Sequence, residues 1–496
     1  MTASSNVIRF KPYQPARNKW GAGGDGGGGG GSGSPDMIQH VASTSNVFPH
    51  LNLGSTDAYD NFAFTPPNAI GAGNCLVLGI CYAHGLTPTV TDTNGNTWPG
   101  SPAVSADGGT GKYVASIFVL PNANAGVTKI SVGFGARAVP FQYTLTEFNN
   151  IVTASAVNGT HAAANVTGSA LAAGSFTPGN NDANGGNIVW SYFAPSAYST
   201  IAQDPSAWGV GNSGVLLDCD TAWTSKSGIP HASQYVLQAA SAAINPSITA
   251  TGVTTDAYNC VAVALKVGAA GTARPAGIFI GRDVHQGTPA VNFSDAPPSP
   301  LSLQLPASGS LRVLNITNAN AGDDHPTAIT VTDNEGQTWT RAAGAPLNNG
   351  FWYIPNRAAS PNLVVTITGL VNFYCSYRFY DISGAHAAPL SGIASNTITP
   401  AGNTYNDMPV LTPTAAPGVV LAWIGFNLGN VVVSTGPTGA KLDVCIYDLI
   451  MDADVMDNAD GVGVLYYTNT TAQHWNWTDT VSSQESWSCA VAFKAA

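Results

Sequence analysis

Val90-Thr91-Asp92-Thr93-Asn94-Gly95-Asn96-Thr97-Trp98 and Val331-Thr332-Asp333-Asn334-Glu335-Gly336-Gln337-Thr338-Trp339 are two versions of one phrase, 241 residues apart. The Val-Thr that opens each version suits an extended strand. Asp and Gly then supply a turn, and Thr-Trp is predicted to begin the return strand of a hairpin. One such phrase specifies a turn. Its recurrence asks whether the chain around it recurs as well.

Four further landmarks follow in the same order. Ile117-Phe118-Val119-Leu120-Pro121-Asn122 matches Phe351-Trp352-Tyr353-Ile354-Pro355-Asn356. Tyr143 to Phe148 matches Tyr377 to Ile382, both at an offset of 234 residues. The apolar run around Trp190 matches that around Trp423, and the run from Cys260 to Lys266 resembles that from Cys489 to Lys494. A period this long exceeds that of a solenoid repeat, so each copy reads as a whole domain. The copies span residues 36–268 and 269–496. Val127 to Phe134 alternates like a half-buried strand. Eight to ten short strands per copy, separated by turn clusters, are expected. The fold class expected is all-β: two tandem antiparallel β-sandwich domains, jelly-roll-like or elaborated immunoglobulin-like, from an internal duplication, preceded by an extended N-terminal arm.

Composition agrees with strands. Charged residues make up 9% of the 496, against about 25% in an ordinary soluble domain. Glu occurs only at Glu147, Glu335 and Glu485. Surface helices need Lys, Glu and Arg on their outer faces, so a helix-rich chain is excluded. The net charge of −11 argues against a nucleic-acid binder. The seven cysteines contain no CxxC pair and several lie in apolar runs, which reads as buried free thiols. No apolar segment follows the early basic residues, so a cleaved secretory signal is not expected. Nor is there an apolar run long enough for a membrane helix.

The N-terminus is a separate device. Residues 1–20 carry Arg9, Lys11, Arg17 and Lys19 among Phe10, Tyr13 and Trp20, with no acid before Asp25. Residues 21–35 form a tether, with ten glycines between 21 and 34. As a free coil this reaches roughly 20 Å. The arm reads as an anchor to an assembly.

The V-T-D-x-x-G-x-T-W phrase, the aromatic strand ending in Pro-Asn and the acidic-aromatic segment resemble sandwich modules of bacterial surface proteins and phage virion proteins. The arm and tether resemble the anchor of bacteriophage fibre, spike and decoration proteins. That resemblance implies a non-enzymatic virion structural protein, located on the virion surface and made in the host cytoplasm. It implies attachment to capsid, collar or tail proteins through the N-terminal arm, homo-oligomers, and sandwich domains that can bind a host-surface glycan. No cofactor, nucleic acid or membrane insertion is expected. The alternative is a carbohydrate-binding surface protein, and a third reading is a polysaccharide-degrading enzyme.

Trp475 and Trp477 would share one face of a strand, and if exposed would stack on a sugar ring. Asp452, Asp454, Asp457 and Asp460 form an acidic loop that offers oxygens to Ca²⁺. Met456 stands where a ligand is required and no Glu closes the loop, so it reads as a solvated loop with no metal. Asp218-Cys219-Asp220 reads the same way. Glu147 and Asp381 hold matching positions in the two copies. Catalysis by paired carboxylates needs a second acid nearby in the same domain. None can be assigned, so both read as structural acids at a strand end.

Overall fold

A strand that is apolar at nearly every position has to bury both of its faces. Cys75–Ala83 is such a strand, and so is Asn187–Pro195, in which every residue is buried. The computed structural model of the chain explains how both faces are covered. It describes residues 35–44, 47–49, 61–136, 141–197, 207–219, 230–252, 257–287, 300–319, 328–342, 350–370, 374–399, 405–407, 410–427, 431–447, 458–479 and 485–496. These residues lie in one compact unit, Ser32–Ala496.

Four groups of strands follow one another. Group A contains β1 (Met37–Thr44), β2 (Val47–Pro49), β3 (Asn61–Phe64), β4 (Cys75–Ala83), β5 (Thr89–Asp92), β6 (Val104–Asp107), β7 (Tyr113–Leu120), β8 (Ile130–Gly133) and β9 (Gln142–Phe148). Group B contains β10 (Val157–Thr167), β11 (Ala170–Ala172), β12 (Asn187–Pro195), β13 (Ala207–Val210), β14 (Val215–Cys219), β15 (Ala232–Gln238), β16 (Ser247–Thr251) and β17 (Ala257–Lys266). Group C contains β18 (Phe279–Gly287), β19 (Leu301–Gln304), β20 (Leu311–Ala319), β21 (Thr330–Asp333), β22 (Thr340–Ala342), β23 (Gly350–Ile354), β24 (Val364–Thr368) and β25 (Tyr374–Ser383). Group D contains β26 (Ala385–Thr399), β27 (Tyr405–Asp407), β28 (Gly418–Asn427), β29 (Val431–Thr435), β30 (Lys441–Tyr447), β31 (Asn458–Tyr467), β32 (Asn476–Asp479) and β33 (Glu485–Ala495).

With β2 set aside, each group has eight strands and one arrangement. Counted within a group, strands 1-8-3-6-5 form a wide sheet and strands 2-7-4 a narrow one. This interleaving is the order of a jelly roll. It occurs four times among the described residues, and no α-helix accompanies it there. The expectation of one sandwich in each of 36–268 and 269–496 is therefore corrected: each span holds two. The landmark matches fall on equivalent strands, β7 with β23, β9 with β25, β12 with β28 and β17 with β33.

The wide sheets of A and C join through β1 and β18, which pair in parallel with His40 opposite Arg282. The resulting ten-stranded sheet has an order that reads alike from both ends. Equivalent strands that run parallel side by side are related by a half-turn about an axis along the strands. The two halves therefore turn opposite faces outward. B's wide sheet packs on A's, where Cys75, Val77 and Ile117 meet Trp190, Val261 and Val263. D's wide sheet packs on C's, where Leu311, Val313 and Ile382 meet Leu421, Trp423 and Val491. Each narrow sheet closes a second core on the other face of its wide sheet, as where Phe62 stacks on Phe141 at 4.3 Å in A. Gly79 admits the close approach of A to B, because a β-carbon there would lie 2.8 Å from the Trp190 ring.

The repeated phrase forms the turn after β5 and after β21. Asp92 Oδ1 accepts the amides of Asn94 and Asn96, and its Oδ2 accepts the Trp98 indole N–H at 2.8 Å. Asp333 does the same for Glu335, Gln337 and Trp339. Gly95 and Gly336 sit at φ 64° and 77°, where other residues would be strained. The return strand expected at Thr-Trp forms only in part in C, where Trp339 N–H donates to Val331 O. In A the next strand begins only at Val104. The short β2 leaves A altogether and pairs antiparallel with β30, the outer strand of D's own set.

Candidate functional site

Polar side chains inside so apolar a body require partners, because an unpaired buried polar group costs about 1–3 kcal/mol. Several of the described ones meet at the junctions between sandwiches.

The densest junction joins A, B and C. Asp218, at the end of β14, is fully buried. His40 Nε2 lies 3.0 Å from its Oδ1 and His231 Nε2 lies 2.6 Å from its Oδ2. Thr144 donates to Oδ1 at 3.2 Å, and Ser233 donates to the same oxygen. Four donors thus surround the carboxylate, three on Oδ1 and one on Oδ2. His40 Nδ1 meets Thr146 Oγ1 at 3.0 Å, and that oxygen already accepts the Trp190 indole N–H at 3.1 Å. The Thr146 oxygen keeps both its own proton and a second lone pair for His40 Nδ1, so the contact serves a neutral or a charged ring alike. His231 lies between Asp218 and the side-chain amide of Gln142, whose Oε1 stands 3.2 Å from its Nδ1. Burial lowers His40 from its ordinary value, against the pull of Asp218. Burial would raise Asp218, but His231 and His40 outweigh it and hold the carboxyl far below the usual range.

Arg282 of β18 reaches into the same junction. Its Nη1 donates to Pro306 O at 2.8 Å within C, and to Leu217 O at 3.1 Å and Leu216 O at 3.3 Å in B. The half-turn has a counterpart between A, C and D. Gln39, opposite Glu147 as Arg282 is opposite Asp381, donates to Asn68 O at 3.2 Å. Asn68 in turn donates to Ile280 O at 2.7 Å and accepts the Tyr466 hydroxyl of D at 2.5 Å. Each half is therefore braced against the second sandwich of the other.

The matched acids behave as structural acids. Glu147 accepts from Gly71 N at 2.8 Å, from Gln39 Nε2 at 2.7 Å and from Asn74. Asp381 accepts from Ser308 N at 2.6 Å and Gly309 N at 2.7 Å. Each fastens the loop that precedes its sandwich's third strand. Burial raises Glu147 despite those bonds. Burial also lowers the Lys441 amine to about 8, opposed by Glu147.

Other sequence expectations fare differently. Asp218 is no part of a solvated loop, because the apolar run Leu216-Leu217 carries it inward. Trp475 is buried in D's core against Gly463 and Gly436, which removes its ring from any sugar platform. Trp477 pairs on β32 opposite Asn406, and its side chain lies outside the described residues. Arg9, Phe10, Lys11, Tyr13, Arg17, Lys19 and Trp20 also lie outside them, as do residues 21–34, Asp452, Asp454, Asp457 and the side chain of Asp460. Among the described residues no group of His, Cys, Asp or Glu is placed to hold a metal ion.

Ser233 donates to the carboxylate rather than to a histidine, and the hydroxyls that meet His40, Thr146 at 3.0 Å and Thr144 at 3.4 Å, are buried with it. Cys75, Cys81, Cys219, Cys260 and Cys489 are buried free thiols. Burial pushes Cys489 up to about 12 and Cys75, Cys81 and Cys260 higher still, which leaves them unreactive. His40, Asp218, His231 and Arg282 escaped the sequence reading as a group. The signal they left was a charged or polar residue inside an apolar run. The chain matches no family model, and no curated protein matches it.

Proposed function

We propose that this chain is a non-enzymatic structural protein of a bacteriophage virion, a fibre, spike or capsid decoration protein anchored by its N-terminal arm. One observation carries the reading: His40, Asp218, His231 and Arg282 at one junction, and Asn68 at its counterpart, spend buried polar groups on bracing sandwich to sandwich. The side chains of its densest polar junction, His40, Asp218 and His231, are fully buried and closed to a substrate. Jelly rolls are a recurrent choice for capsid and lectin domains, which supports the reading by analogy of fold. The basic, aromatic arm and the glycine tether supply a means of attachment with freedom of orientation.

The test is removal of residues 1–34. The truncated chain should fold as before, judged by its thermal transition, and should no longer sediment with particles. Particles that still carry the truncated chain at full occupancy would refute the anchor.

A further inference from the structure

The seam between A and C joins two first strands. Counted within their groups, β1 and β18 are both strand 1, at the rims of their wide sheets, and their parallel pairing makes one sheet of the two. The first strands of B and D are β10 and β26, and each ends its sheet among the described residues. The opposite rims of B and D are occupied. Arg282 caps the β14 carbonyls of Leu216 and Leu217, and β2 covers β30. The surroundings match as well. B faces A so that the fifth strand of each lies against the first strand of the other, β14 against β1 and β6 against β10. Ala106 of β6 and Ala162 of β10 share one core, as Ala342 of β22 and Ile393 of β26 share its counterpart between C and D. The outer end of each sandwich pair thus repeats the arrangement by which its inner end docks on the other pair.

The ladder shows which backbone groups these rims present. Val267 N–H donates to Gly186 O, beside β12, whereas Lys266 N–H donates to Ala156 O, beside β10. Residues of β17 therefore serve β12 and β10 in alternation. Gly159, His161 and Ala163, opposite Ala264, Ala262 and Cys260, point their backbone groups inward. Thr160 and Ala162 point theirs outward, on the side of Asn158, whose carbonyl accepts Gly179 N–H. The same count turns Ile393 of β26 outward, next to Ser391, whose carbonyl accepts Thr414 N–H. Edge strands are ordinarily guarded by charged side chains, by proline or by shortness. β6 and β22 have four and three residues. β10 and β26 have 11 and 15, with no Lys, Arg, Asp or Glu, and Pro389 precedes the outward stretch of β26.

We propose that copies of this chain join head to tail, β10 of one copy pairing in parallel with β26 of the next as β1 pairs with β18 within a copy. The two rims lie on different sandwiches, so each copy added leaves a further rim for the next. The proposal does not rest on the virion reading, and its test needs no particle. Purified full-length chain is followed by sedimentation velocity from about 1 µM to about 500 µM at neutral pH, where the mean mass should rise past two copies. The paired rims carry no charge, so the rise should persist in about 0.5 M NaCl. Association lost in salt would belong to the basic arm on the acidic body and would overturn the proposal. Ala162→Pro removes one outward N–H and leaves the ladder to β17 in place, and it should raise the concentration needed for association at least about tenfold. Leu237→Ser, at an apolar side chain 55% exposed on β15, should leave association unchanged. A chain that stays monomeric throughout overturns the pairing, as does association that Ala162→Pro leaves unchanged or that Leu237→Ser abolishes. Should Ala162→Pro not fold, amide exchange in the unmodified chain decides. Residues 159–163 and 392–396 must then exchange more slowly as concentration rises, and unchanged exchange there overturns the proposal.

Discussion

Sandwiches A and C place different chemistry at equivalent positions of one shared sheet. The partners in β9 and β25 align His40 with Asp283 and Thr144 with Arg378. In C the two residues satisfy each other, Arg378 Nε and Nη2 meeting Asp283 at 2.6 and 2.7 Å. In A neither residue carries the missing charge, and Asp218 arrives from B to supply it. C's pair is complete within its own sandwich. A's is complete only when B is in place. A buried charge cluster completed by a neighbour makes docking a condition of its own stability.

Asp218→Ala should therefore have the largest effect of any single change at these positions. It strands four donors at once and should cost about 5 kcal/mol in chemical unfolding. A cost under about 1 kcal/mol would mean that the junction rehydrates and that A does not depend on B. Arg378→Met should cost about 3 kcal/mol, since it leaves Asp283 buried and unpaired. The double change Asp283→Leu with Arg378→Met should recover most of that loss, because a self-contained pair can be replaced by apolar groups. No such swap of two residues can restore A.

Acid sharpens the same contrast. Burial depresses His40 in A and depresses His285 strongly in C, where Arg378 adds to the effect. The unfolded chain accepts these protons near pH 6.5, before the folded chain does. Stability is thus full above about pH 6.5 and falls as the pH drops below it, by up to about 1.4 kcal/mol per pH unit for each ring. At pH 5, His285→Gln should be roughly 2 kcal/mol less acid-sensitive than the unmodified chain. Denaturant midpoints at pH 7.5 and pH 5.0 give the comparison directly.

The fold class was legible because its causes are local. Few charges, β-branched runs and the Asp-Gly turns act on neighbouring residues, and the turn after β5 is specified within seven positions. The number of sandwiches was not legible. Strands β4, β12 and β28 are buried on both faces, so they read as plain apolar runs without the alternation that counts sheets. A and B share a strand order without sharing the quoted landmarks, so matching words found A with C and B with D alone. The junction was less legible still. His40 lies far along the chain from Asp218 and His231, and only the sheet stacking brings it to them.

The smallest effect belongs to the repeated turn, where the contrast between A and C is again neutral against charged. Asn94 and Glu335 hold the same place in the phrase. Asn94 fastens its turn with amide bonds to the neighbouring loop, donating to Ala125 O and accepting from Asn124 at 3.2 Å. Glu335 instead receives Arg312 at 3.1 Å and Arg357 on one oxygen. Arg312 is fully buried and keeps only Ala358 O, at 2.7 Å, as a further partner. Burial would raise the Glu335 carboxyl, but Arg357, Ser360 and Arg312 outweigh it and hold it at about 2. Its contribution is present above the ordinary glutamate value near 4.5 and is lost as the pH falls toward 2. The carboxylate is about a quarter exposed, so water screens much of the gain. Glu335→Gln should cost about 1 kcal/mol at neutral pH and almost nothing at pH 2.5, and added salt should shrink the loss. Asn94→Ala should cost about 0.5–1 kcal/mol, with neither pH nor salt dependence. Equal salt dependence at both turns would mean that the arginines do not act through Glu335, and the distinction between the two turns would fall.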